Sequence, residues 1–138
     1  RLLELYPYES AKEDFVIKHE IHIDTDGITA TGYLYETNGS VEILEGSMVK
    51  LDADENSLGT NEELYSELLD EGIIVETADH ASFKKAYRFN SLRINSTTLS
   101  TSASFILRSP RNGWYTWRDE QGNPLNSNKE LKRKLNQQ

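Results

Sequence analysis

Two turn dipeptides, Asp26-Gly27 and Asn38-Gly39, each set between runs of alternating apolar and polar residues, constrain this chain more than any other feature. Both tolerate the positive φ that a tight hairpin needs, so each marks a place where a strand reverses. Ahead of the first, Ile21 and Ile23 alternate with Glu20, His22 and Asp24, as on a half-buried strand. Between the two, Ile28, Ala30, Gly32 and Leu34 share one face and Thr29, Thr31, Tyr33 and Tyr35 the other. Val41 and Ile43 continue the alternation beyond the second. These runs predict a three-stranded antiparallel meander.

Beyond the meander the period changes. Thr60-Asn61-Glu62-Glu63 reads as a capping box opening a helix with Leu64, Tyr65, Leu68 and Leu69 on one face and acids on the other. Gly72 ends it. Ile73-Ile74-Val75 predicts a short buried strand, and Tyr87 and Phe89 belong to a later one. Leu99, Ala103, Ile106 and Leu107 fall at i, i+4, i+7 and i+8, the spacing of a second helix, rich in small residues. Tyr115-Thr116-Trp117 reads as a strand that ends at a turn through Gln121-Gly122-Asn123. Ser127-Asn128-Lys129-Glu130 is another capping box. Its helix has only Leu131 and Leu135 as an apolar stripe, too narrow for a core helix, so an edge position or fraying is expected. Near the start, Ser10-Ala11-Lys12-Glu13 is a third possible box, after Pro7.

At 138 residues the chain is one domain's worth and long enough to bury a core. We divide it into an N-terminal extension or linker over residues 1–18, an α+β domain over 19–126 and a C-terminal helix over 127–138. Cysteine is absent, which removes a disulfide framework, thiolate zinc sites and a cysteine nucleophile, and is compatible with a cytoplasmic location. No apolar run approaches the roughly 18 residues of a membrane span, so no membrane association is expected. The chain begins at Arg1 rather than Met, which suggests a piece of a larger protein. Its net charge of −8 conceals two unlike halves. Residues 1–80 hold 20 acidic side chains against four basic ones, and residues 81–138 hold 11 basic against three acidic. The basic half prompts a search for nucleic acid or an acidic partner, while the overall sign argues against tight non-specific DNA binding.

Few residues suggest catalysis. Asp52-Ala53-Asp54-Glu55-Asn56 with Glu63 approximates calcium-loop spacing, but Ser57 stands where the loop needs glycine, and a strand rather than a helix leads in. A solvated acidic loop is the plainer reading. His19, Glu20, His22 and Asp24 are metal-ligand types, yet on a strand His22 and Asp24 project opposite to His19. No nucleophile elbow, phosphate-binding glycine loop or zinc-helix motif is present, so neither an enzyme nor a cofactor is expected.

The C-terminal third is different. Arg108, Arg111 and Arg118 bracket Trp114, Tyr115 and Trp117, with Lys84, Lys85, Arg88 and Arg93 upstream. Cations interleaved with aromatics suit phosphate contact and base stacking. Core packing is the competing role for both tryptophans. On a strand they would point to opposite faces, one into the core and one available. The Ser/Thr run Ser96–Ser104 caps and begins a helix whose amino terminus could also hold an anion.

From about Thr29 to Leu125 the chain resembles a domain of unknown function found C-terminal to GIY-YIG nuclease-type proteins, itself similar to the RAMA (restriction enzyme and adenine methylase associated) domain. The residues that carry the resemblance run in order: Ala30-Thr31-Gly32-Tyr33, Val41-x-Ile43-Leu44-Glu45-Gly46-Ser47, and Leu64 to Gly72 with Ile73-Ile74-Val75. Phe83, Tyr87 and Phe89 follow, then Ser102-Ala103-Ser104, Asn112-Gly113-Trp114-x-x-Trp117, Gly122 and Leu125. The family usually has Ser-Pro-Ser-Ala-Ala where Leu99-Ser100-Thr101-Ser102-Ala103 stands here, and a glycine where Arg108 stands. Residues 90–98 look like an insertion. The resemblance implies an accessory, DNA-related role beside nucleases or methyltransferases; RAMA-type domains are proposed to recognise DNA or its modified bases.

The combined expectation is a single α+β domain, an antiparallel β meander with two or three packed helices. It would be a non-catalytic accessory domain of a restriction/modification or nuclease-type protein that contacts DNA. Lys84, Lys85, Arg88, Arg108, Arg111 and Arg118 would meet phosphates, and Asn112, Trp114 and Trp117 would complete the surface. Its partners would be DNA and a nuclease or methyltransferase domain of the same parent protein. The alternative is a protein-interaction or scaffold module docking a basic partner through the acidic half. A contiguous basic cleft beside an exposed aromatic would favour the first; dispersed cations with both tryptophans buried would favour the second.

Overall fold

A computed structural model of the protein describes residues 17–53, 60–90 and 97–136. The Ser10–Glu13 box, Asp54–Gly59 of the acidic loop, Arg93 and Ser96 lie outside them. The predicted meander is the foundation. Strands β1 (Lys18–Thr25), β2 (Ile28–Tyr35) and β3 (Val41–Ile43) pair antiparallel in that order. Asp26 and Gly27 both adopt positive φ, at 56° and 79°, the conformation that a two-residue type I′ turn demands. At the second hairpin Asn38 Oδ1 accepts from the Ser40 amide at 3.0 Å and Gly39 has φ 71°. Strand β7 (Tyr87–Phe89) joins β3 to complete a four-stranded sheet in the order β1-β2-β3-β7.

A second, three-stranded sheet was not anticipated. It orders β4 (Met48–Val49), β6 (Ala81–Phe83) and β5 (Ile74–Glu76) antiparallel. Strands of two or three residues are too short to carry a readable alternation.

Helix α1 (Thr60–Glu71) begins where its capping box was read and buries Tyr65 and Leu68. Gly72, at φ 78°, and the Ile73 amide bonded to Leu68 O form a Schellman stop. Helix α2 (Thr97–Leu107) buries Leu99, Ala103, Ile106 and Leu107 as its period predicts. It also buries Phe105, whose ring meets those of Tyr65, Phe83 and Phe89 with centroids 5.6–6.2 Å apart. That aromatic cluster joins the two sheets and both helices into one core.

The C-terminal part departs from prediction. Tyr115-Thr116-Trp117 is not a strand: residues Gly113–Thr116 form a single helical turn, α3. Its cause is local. The Asn112 side chain caps the turn, accepting from the Trp114 amide at 3.0 Å, and Asn112 O accepts from Thr116 N. The cap overrides the β propensity of Tyr, Thr and Trp. After a 3₁₀ turn (Leu125–Ser127), helix α4 (Lys129–Asn136) is capped by Asn128 rather than Ser127, through Asn128 Oδ1 and the Leu131 amide. Leu131 and Leu135 are both buried, against the expectation of an edge or frayed helix. For two turns of helix, two inward leucines are a sufficient stripe. Among the described residues no helix is long and apolar enough to cross a membrane.

Candidate functional site

The Asn112-Gly113-Trp114 landmark and the serine run are halves of one interior clasp. Ser100 Oγ accepts from the Gly113 amide at 2.9 Å. Ser102 Oγ accepts from Trp117 Nε1 at 3.1 Å and donates to Leu99 O. Ser104 Oγ accepts from the Arg111 amide at 2.9 Å. Alternate residues of α2 thus hold three points of the 111–117 segment. A Cβ at Gly113 would overlap the Leu99 carbonyl, so this close approach requires glycine. Trp114 is 4% exposed and Trp117 0%, so neither is available on the surface, contrary to the expectation drawn from a strand.

The arginines are dispersed. Arg108 is 8% exposed, ion-paired with Glu62, donates to Leu51 O at 2.5 Å, and lies 3.7 Å from the Tyr65 ring centroid. Its φ of 52° identifies it as the left-handed residue that ends α2, a conformation that glycine adopts most readily. Arg111 bonds Ser109 Oγ and pairs with Asp26 at 3.8 Å. Arg88 lies over the Tyr35 ring and 3.6 Å from Glu42. Arg118 donates to Gly122 O at 2.9 Å. Lys84 and Lys85 are exposed and have no ion pair among the described residues. These cations do not gather beside an exposed tryptophan.

Titration is shifted at three tyrosines. Burial, then a hydrogen bond to Glu76 at 2.7 Å, raises the Tyr65 hydroxyl pKa well above its ordinary value. Burial and Glu42 raise Tyr35, and burial with Glu67 and Glu71 nearby raises Tyr87. All three stay protonated at neutral pH. His19 and His22 turn to different carboxylates, Glu36 at 2.9 Å and Glu20 at 3.0 Å. Among the described residues no group of three His, Asp or Glu side chains could hold a metal ion.

The concave surface that sequence reasoning missed lies on the outer face of the four-stranded sheet. His22 and Arg118 exchange backbone hydrogen bonds of 2.8 Å, and His22 stands opposite Thr31, so Arg118, His22 and Thr31 form a row across three segments. A cavity of about 640 Å³ lies over this row, bounded by the turn from Asp119 to Gly122. A second, of about 350 Å³, shares Thr29, Ala30 and Thr31 with it and ends at the Leu44–Ser47 turn. Ser47 anchors that turn: its Oγ accepts from Thr31 N and donates to Thr31 O. Several residues of the resemblance, Thr31, Glu45-Gly46-Ser47 and Gly122, line this trough. The only sequence cue was the alternation that placed Thr29 and Thr31 on the solvent side.

No curated protein and no solved structure gives a match to the chain. A family model does, over residues 21–129, from the middle of β1 to the start of α4, and so includes both the clasp and the trough. The chain belongs to the family described as domain of unknown function (DUF4357).

Proposed function

We propose that this domain is a non-catalytic accessory module that docks a basic surface of a partner protein through its acidic half. One observation carries the reading: both tryptophans are buried and the arginines near them bond within the fold, which leaves Tyr115 as the exposed aromatic of that segment, whereas carboxylates of the acidic half stand outward. Trp114 and Trp117 are buried, and Arg108 is paired with Glu62. By contrast Glu63, Glu67, Asp70 and Glu71 of α1 are exposed, on a helix with no basic residue. Carboxylates unpaired within the fold attract a basic partner and orient it on approach. The resemblance to domains beside GIY-YIG nucleases and to RAMA domains supports a cytoplasmic nuclease or methyltransferase domain of the same parent protein as that partner.

A second reading, DNA contact, draws on the exposed Lys84-Lys85 pair and on Lys129 and Arg133 of α4. Fluorescence anisotropy with a labelled lysine-rich peptide and a labelled duplex, each over a salt series, separates the two. The docking reading expects peptide binding that weakens with salt, and duplex binding no tighter than the roughly 10⁻⁴–10⁻⁶ M of non-specific contacts. Tight duplex binding that Lys84→Ala/Lys85→Ala weakens would overturn it in favour of DNA.

A further inference from the structure

We infer that the trough over Arg118, His22 and Thr31, which the acidic half shares with the 118–122 turn, is where the basic partner is held, as an extended lysine- or arginine-bearing segment; this rests on the docking reading and extends it to that turn. The shape comes first. The two cavities share Thr29, Ala30 and Thr31 as lining, so together they mark a trough that runs across the strands with a turn at either side. A trough floored by a rigid sheet suits a length of extended chain. The sheet fixes that floor: the His22–Arg118 bonds tie the 118–122 turn to β1, and the Ser47–Thr31 bonds tie the 44–47 turn to β2.

The charge comes second. Asp24, Glu45, Asp119 and Glu120 line the trough from β1 and from both turns, against one cation, Arg118. Arg118 is held back toward Gly122 O. Asp24, Glu45 and Glu120 are exposed and have no ion pair among the described residues. One Asp119 oxygen accepts from the Gln121 and Asn123 amides, at 3.0 and 2.9 Å, which fixes its carboxylate in place. A cationic side chain lying here would meet carboxylates from more than one side. The outer face of α1 offers exposed carboxylates too, but a helix surface is convex, so a cation there meets them from one side only. The concave site therefore gains more from each cation it receives.

Chemistry along the floor matches an extended peptide. Thr29 and Thr31 present hydroxyls, the first donating to Met48 Sδ at 3.2 Å and the second 3.4 Å from His22 Nδ1, while the other ring nitrogen of His22 meets Glu20 at 3.0 Å. The hydroxyl oxygens keep lone pairs that accept hydrogen bonds without demanding one particular side chain. Charge complementarity selects the cation, and the hydroxyls serve the segment between cations.

The test compares two double variants that each remove two negative charges. Asp24→Asn/Glu120→Gln alters the trough, and Glu67→Gln/Asp70→Asn alters α1. Binding of a labelled peptide alternating lysine and glycine is measured by anisotropy at fixed salt, with thermal melts to confirm folding. The inference expects the trough variant to bind about tenfold more weakly and the α1 variant to stay within about twofold. Equal weakening would overturn it, since the attraction would then follow net charge alone. Loss confined to the α1 variant would also overturn it while leaving the docking reading intact. If the unaltered protein does not bind the peptide, the docking reading itself fails.

Discussion

Trp117 and Arg118 are neighbours in the chain and belong to opposite kinds of surface. Trp117 is wholly buried, its indole N–H bonded to Ser102, in a clasp where Ser100, Ser102 and Ser104 each bond the 111–117 segment. Arg118 faces the trough, where Asp24, Glu45 and Glu120 have no ion-pair partner among the described residues. The segment with the more recognisable sequence is the one whose chemistry is complete. The difference shows that aromatic and small residues at fixed spacing encode packing here, and that available chemistry lies where polar groups are left unmatched.

The comparison breaks if the clasp is dispensable. Trp117→Ala empties a fully buried site and leaves Ser102 without a donor, so it should cost about 4 kcal/mol of unfolding free energy, read by denaturant titration. Gly113→Ala comes next. Its methyl would collide with the backbone at Leu99, which moves only if α2 and α3 separate, and a loss of about 3 kcal/mol is expected. A near-neutral result for either would mean that the clasp does not hold the domain together.

Arg108 sharpens the same contrast. It occupies a left-handed position that glycine adopts freely, and its side chain holds Glu62, Leu51 O and Tyr65. Arg108→Ala should lose about 2 kcal/mol, from the paired guanidinium. Arg108→Gly should recover about 1 kcal/mol of that by relaxing the backbone. If Ala and Gly are equally destabilising, the positive φ contributes nothing.

Tyr65 adds a pH dependence at the α1–α2 junction. Burial and Glu76 raise its folded pKa, so above about pH 10 the unfolded tyrosine ionises while the folded one keeps its proton. The stability it contributes is complete below about pH 10 and falls as pH rises, at about 1.4 kcal/mol per pH unit. Tyr65→Phe should flatten the decline measured between pH 10 and the folded pKa; an unchanged slope would assign the alkaline loss to other groups.

How much of this was legible depends on the length of the signal. The β1–β2–β3 meander was, because each hairpin has a turn dipeptide, β2 alternates over eight residues and β1 alternates from Glu20 to Asp24. Helices α1 and α2 were, because their apolar stripes span two or more turns. The second sheet was not, since β4 has two residues and β6 three. The helical turn at 113–116 was hidden because Tyr, Thr and Trp favour strands, and a single Asn112 cap decides otherwise. The trough was illegible for a different reason. Its row joins Arg118 to His22 and Thr31 by pairing across about ninety residues of sequence, which no local pattern encodes.

The smallest expected effect tests the trough side of the comparison. Asp24→Asn and Glu120→Gln replace exposed carboxylates that have no ion pair among the described residues, so no described cation loses a partner. Each should shift stability by no more than about 0.5 kcal/mol, measured in the same titrations as the clasp variants. A small gain is the expected sign, because removing a negative charge from a chain of net charge −8 relieves self-repulsion. Residues kept by the fold for its own stability behave in the opposite way, as Trp117 and Gly113 should. If Asp24→Asn or Glu120→Gln destabilises as strongly as Gly113→Ala, the trough is another part of the scaffold, and the contrast between Trp117 and Arg118 collapses.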